Sequence, residues 1–122
     1  MRALIVEHNA NLGGLWQRHM MRLGVETSLV TSQAQALSLL RDQFFDVIVL
    51  NLVLENGTLA LSDYVSFRHP DTEVVFVSDS TFFSDGSIFN FCSNARALVP
   101  TATPPADLAA MVEHYGTLRR AA

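Results

Sequence analysis

The sequence predicts an α/β domain built on a mostly parallel sheet, with helices on both faces. Two observations carry this. Short apolar runs alternate with stretches of helical periodicity five times along 122 residues, the pattern of repeated strand–helix units. The runs are also nearly continuous in apolar character, as strands covered on both faces must be. A chain of this length fits one domain, expected to span residues 1–122.

The first strand is read at residues 2–7, RALIVE, where an apolar run ends in polar residues. HNAN follows as a loop in which Asn9 or Asn11 can cap a helix. Leu12, Leu15, Trp16, His19, Met20 and Leu23 then recur at helical spacing, and Gly24 supplies the stop. VETSLV (25–30) is the second strand. Thr31 or Ser32 caps a second helix lined by Ala34, Ala36, Leu37 and Leu40. DVIVLN is the third strand, beginning at Asp46 and ending on the amide Asn51, and ENGT is a turn. Leu59, Leu61 and Val65 mark a third helix that stops before Pro70. EVVFVS (73–78) is the fourth strand, DSTFFSDG a loop, and Ile88, Phe91 and Cys92 share a face of a short fourth helix. RALV (96–99) is the fifth strand. Thr103 is placed as cap and Pro104 as first residue of the final helix, whose stripe is Leu108, Met111, Val112, Tyr115 and Leu118.

Composition narrows the function classes. Apolar residues make up 49% of the chain and charged residues 16%, enough for a core and too little charge for disorder. The net charge is −4, all eight basic residues are arginine, and they are scattered along the chain. No basic stripe for phosphate polymers is visible, so no nucleic-acid partner is expected. No run approaches the roughly 18 apolar residues of a membrane span, and MRALIVEHN lacks the form of a signal peptide. A cytoplasmic domain without a membrane contact is expected. Cys92 is the single cysteine; it cannot form an internal disulfide and reads as a buried thiol. The chain runs only a few residues past the last helix, so no output domain is expected in it.

In open parallel sheets the working site lies at the carboxyl ends of the strands. Those ends carry Glu7, His8 and Asn9, then Asn51, then Ser78 and Asp79, then Val99 to Thr101. No acid, base and nucleophile form a coherent set. Ser78, Asp79 and His8 lack a nucleophile elbow and an oxyanion loop, and NLGG is neither a Walker loop nor a dinucleotide fingerprint. His19 reads as a core-edge residue, and His69 and His114 as solvent-facing.

Four segments, ALIVEHN, ALSLLRDQFFDVIVLNL, FRHPDTEVVFVSDS and NARALVPTATPPADLAAMVEHY, together resemble the receiver domain of bacterial response regulators over the whole chain. The resemblance implies a flavodoxin-like sheet in the order 2-1-3-4-5 wrapped by five helices. It also implies phosphoryl transfer from a partner histidine kinase to an aspartate at the end of the third strand. Here that position is Asn51. The acidic pair that helps hold magnesium falls on Glu7 and His8. The lysine of the fifth strand falls on Thr101, or on Val99 if the one-residue gap is placed differently, in a chain with no lysine, and the proline after it falls on Ala102. The switch hydroxyl survives as Ser78, and the aromatic switch position falls on Leu98. An amide is a poor nucleophile, and one carboxylate, an imidazole and an amide are a poor magnesium set.

The resemblance therefore implies a degenerate pseudo-receiver, without a cofactor or a catalytic role. It would work by protein contacts in a two-component or phosphorelay-type pathway. Its partner would be a histidine kinase, another signalling protein or a second copy. Phe82, Phe83, Phe89 and Leu98 are the candidate interface, on the face where receivers commonly dimerise. The alternative is a sensor holding a small molecule or metal among Glu7, His8, Asn51 and Ser78.

Overall fold

The computed structural model describes residues 1–51, 58–79 and 93–121, the last three and residues 58–59 by backbone alone. Five strands form one parallel sheet: β1 (Arg2–Val6), β2 (Glu26–Val30), β3 (Val47–Asn51), β4 (Glu73–Ser78) and β5 (Ala95–Pro100). Their order is β2-β1-β3-β4-β5. The described helices are α1 (Ala10–Arg22), α2 (Gln33–Asp42), α3 (Thr58–Arg68) and α4 (Pro105–Ala121). The short helix expected around Ile88, Phe91 and Cys92 and the loop carrying Phe82 and Phe83 lie outside the described residues, as do Phe89 and most of the ENGT turn.

Strand alternation sorts the core into two layers. Leu4, Val6, Ile48, Leu50, Val74 and Phe76 face α2 and α3, meeting Ala36, Leu40, Leu61 and Val65. Ala3, Ile5, Val47, Val49, Val75 and Val77 face α1 and α4, meeting Trp16, Met20, Leu108 and Val112. Burial on both faces explains the unbroken apolar runs of β1, β3 and β4, while the edge strands β2 and β5 are only part-buried. Ala34 departs from expectation: it is exposed, and Leu39 packs beside Leu37 at the core's margin.

Helix ends follow local chemistry. Asn9 caps α1, its side chain accepting from the backbone N–H of Asn11 at 3.0 Å and of Leu12 at 3.2 Å. Gly24 follows α1 at φ 81°, a conformation that a side chain resists. Ser32 caps α2 by accepting from the Gln35 N–H, while Gln35 reaches back to the Thr31 N–H at 2.9 Å. The last helix begins one residue later than its sequence suggests. The Pro104 carbonyl takes its first bonds, from Asp107 and Leu108 N–H, so Pro105 holds the first helical position. A proline suits that position because its missing N–H would have no intrahelical partner there.

Polar groups close the amino end of the sheet. The buried Asp46 carboxylate accepts from the Arg2 N–H at 2.8 Å. Thr72 donates its hydroxyl to the Phe45 carbonyl at 2.7 Å. The buried Asn94 amide donates to the Thr72 carbonyl at 2.6 Å and the His69 carbonyl at 3.3 Å, and accepts from the Ser66 hydroxyl at 2.9 Å. His69 is half-buried, not solvent-facing, and its Nε2 lies 2.8 Å from the Leu40 carbonyl. Asn94→Ala strands these partners, so urea denaturation is expected to show a loss of about 2–3 kcal/mol. A loss of only a few tenths would mean that the network contributes nothing.

Candidate functional site

The carboxyl ends of β1 and β3 lie side by side, Val6 paired with Leu50. Each chain leaves its strand on a polar residue, Glu7 from β1 and Asn51 from β3. Alternation continues past the strand ends: Glu7 follows Ala3 and Ile5, and Asn51 follows Val47 and Val49, toward α1 and α4. The two side chains therefore meet on one face.

Glu7 is only 1% exposed, so its charge must be balanced by donors. Three groups supply them. The Asn9 backbone N–H donates to Oε1 at 3.0 Å. His8 Nδ1 lies 3.0 Å from the same oxygen. The Asn51 side-chain amide donates through Nδ2 to Oε2. That pairing settles the orientation of the amide, because only its NH2 end can donate to a carboxylate. Gly13 leaves room beside the Glu7 stem; a Cβ there would stand 3.4 Å from Glu7 Cβ and 2.6 Å from Leu29 Cδ1.

The partner of Asn51 is thus Glu7. His8 faces largely outward. Its side chain is 65% exposed, and only Nδ1 turns inward. Ser78 is buried at the last position of β4, one register step beyond Val77, the neighbour of Asn51. Ser78 and Thr101 are joined through the backbone, the Thr101 N–H donating to the Ser78 carbonyl at 3.3 Å. The Thr101 hydroxyl is buried and has no hydrogen-bond partner among the described residues. Leu98 is half-buried and packs on the core layer of Leu4 and Phe76, and Asp79 is exposed.

Chemically, the site is a satisfied ion rather than a vacant one. Both Glu7 oxygens face N–H donors, which occupy the directions that a cation would take. Magnesium asks for several hard oxygen ligands at about 2.1 Å in near-octahedral array. One carboxylate already engaged by donors, an imidazole and an amide do not meet that demand. Among the described residues no group of three or more His, Cys, Asp or Glu side chains could hold a metal ion. The Asn9 N–H was the contributor hidden from sequence reasoning. Its position two residues after Glu7 is that of an Asx-turn-like backbone donor, the only signal that could have exposed it.

Neither a protein-family model nor a curated protein sequence matches the chain. Solved structures do match its fold. A CheY-like response regulator receiver domain protein from Methanospirillum hungatei superposes with a TM-score of 0.85 at 17% identity, covering 98% of this chain and 95% of that one. The response regulator TrrA from Thermotoga maritima, solved in complex with Mg(2+)-BeF, gives 0.79 at 15% identity, with 93% and 97% covered. An orphan response regulator of H. pylori gives 0.81 at 20% identity, with 94% and 95% covered. The similarity is one of fold, and it agrees with the strand order expected from the sequence resemblance. No described helix is long and apolar enough to cross a membrane.

Proposed function

We propose that this chain is a receiver-like signalling domain that does not accept a phosphoryl group at the end of its third strand and works through protein contacts. The observation that carries the reading is the Asn51–Glu7 hydrogen bond. In receivers an aspartate at this place attacks phosphorus beside a magnesium ion. Here the nitrogen lone pair of Asn51 is delocalised into its carbonyl, and its N–H is committed to Glu7. The neighbouring carboxylate, which would help hold the metal, is spent on three internal donors. No lysine exists in the chain to meet a phosphoryl oxygen, and by the sequence resemblance Thr101 falls at its place. Glu7, His8, Asn51, Ser78 and Thr101 thus form a pocket whose parts hold one another rather than a reactant. On this reading the domain is not an enzyme, and its partners are a kinase, another signalling protein or a second copy.

Incubation with acetyl phosphate and magnesium is the direct test. The intact mass is expected to stay unchanged. A labile addition of one phosphoryl group mapped to Asn51 would sink the proposal. A second reading, a small-molecule or metal sensor, draws on one observation, the buried Thr101 hydroxyl, which has no partner among the described residues. Native mass spectrometry with divalent metals and nucleotides separates it from the first, since a retained ligand would support sensing.

A further inference from the structure

The arginines, scattered in sequence, are gathered in space. The strands are parallel and each described helix runs back antiparallel to them, so strand starts and the ends of these helices share one end of the molecule. Arg2 begins β1 and Arg96 is the second residue of β5. Arg18 and Arg22 lie in the last two turns of α1, Arg41 in the last turn of α2, Arg68 ends α3, and Arg119 and Arg120 belong to the last turn of α4. All eight basic residues of the chain therefore sit at the amino end of the sheet. The described carboxyl end has Glu7, Asp79 and Asp107 and no arginine.

Helix dipoles account for part of this, since a cation in a last turn is favoured. They do not account for what stands beside the arginines. The large apolar side chains exposed among the described residues are Met21, Leu23, Phe44, Phe67 and Leu118. Every one is at this same end. Met21 and Leu23 flank Arg22, Phe67 precedes Arg68, Phe44 follows Arg41 by three residues, and Leu118 precedes Arg119. Phe67 is 83% exposed and Met21 58%. Among the described residues ion pairs engage Arg2 and Arg96, while Arg18, Arg22, Arg41 and Arg68 form none.

We infer that the amino end of the sheet is a docking surface for a protein partner that presents carboxylates interspersed with apolar side chains. Three features select a protein over other anions. Arginine, methionine and phenylalanine side by side are the composition enriched at protein interfaces. Arginine, more weakly hydrated than lysine, suits paired contacts that lose water. Five carboxylates are also interleaved at this end: Glu26, Asp42, Asp46, Asp71 and Glu73. Eight arginines against five carboxylates leave only three net positive side-chain charges, a weak field for a phosphate polymer or an anionic bilayer. Five strands at about 4.8 Å spacing make this end roughly 20 Å across, the scale of a protein contact. The surface is separate from the Glu7–Asn51 pocket, and the inference stands whether or not that pocket accepts phosphate.

The test uses a random copolymer of glutamate and tyrosine as the probe, with polyglutamate, duplex DNA and phosphatidylserine vesicles beside it, at roughly 0.15 M salt. Binding is followed by amide chemical shifts in the whole chain. The copolymer is expected to bind more tightly than the other three and to shift amides at the amino end of the sheet. Two sets of exposed substitutions are expected to weaken it by about tenfold or more: Arg22→Gln, Arg41→Gln and Arg68→Gln together, and Met21→Ser with Phe67→Ser. Thermal unfolding confirms that each set stays folded, and the wild-type shift map stands by itself if one does not. Tighter binding of DNA or vesicles would overturn the inference. So would shifts confined to the carboxyl ends, no binding of the copolymer, or an unchanged affinity in the Met21 and Phe67 variant.

Discussion

Replacing Asn51 by aspartate is expected to destabilise the fold by about 3–5 kcal/mol at neutral pH. The substitution changes one donor into an acceptor. It removes the N–H that satisfies Oε2 of the buried Glu7 and sets a second carboxyl, at the part-buried position 51, against the first. Two carboxyls at hydrogen-bond distance cannot both ionise cheaply, so the folded variant keeps a proton that the unfolded chain releases. The sign of the pH dependence follows. Where the folded state binds more protons than the unfolded state, stability falls as pH rises. The variant is therefore expected to recover part of its loss on acidification through the carboxylate range, as read from urea midpoints. It also acquires what the wild type lacks, two carboxylates facing one point. Magnesium is expected to raise the Tm of Asn51→Asp and to leave the wild-type Tm unchanged. A wild type stabilised by magnesium would contradict the account of Glu7 as already satisfied. Adding Glu7→Gln to Asn51→Asp reverses the donor and the acceptor at unchanged net charge, and is expected to recover most of the loss in a double-mutant cycle.

The second large effect is expected at Trp16. It is among the largest fully buried side chains, set between α1, α4 and the sheet. Truncation to alanine leaves a cavity in the layer formed with Met20, Val112 and the β1 and β3 valine and isoleucine side chains. The expected cost is about 3–5 kcal/mol. The indole Nε1 is buried and has no acceptor among the described residues, so part of what tryptophan gains by burial is offset by an unsatisfied donor. Trp16→Phe removes that donor and keeps most of the apolar volume. Its cost is expected to stay below about 1.5 kcal/mol. Equal losses for the two variants would show that the apolar volume phenylalanine retains contributes nothing at this position.

Much of the fold was legible because it rests on local rules. Alternating runs and helical stripes marked the five strands and the four described helices, and Asn9, Ser32 and Gly24 marked ends by their own chemistry. The candidate pocket was legible in outline for a related reason: the residues that follow parallel strands must emerge at one edge. Its wiring was not. That Asn51 reaches Glu7 depends on strand register across 44 residues, and that His8 stands out in water depends on Glu7 turning inward first. Ala34 failed as a core residue for a similar reason, since helical spacing alone does not say which arc the sheet covers.

By itself, then, the sequence determined the alternation of strands and helices, the burial of the central strands on both faces, an amide at the end of the third strand, and the lack of any lysine. Each is a property of residue identity and short-range pattern. The tertiary structure alone decided which donors neutralise Glu7 and where the charge of the surface lies. Parallel strands with returning helices bring residues as distant as Arg2, Arg68 and Arg96 to one end. The chain direction of each element, not spacing along the sequence, set that gathering.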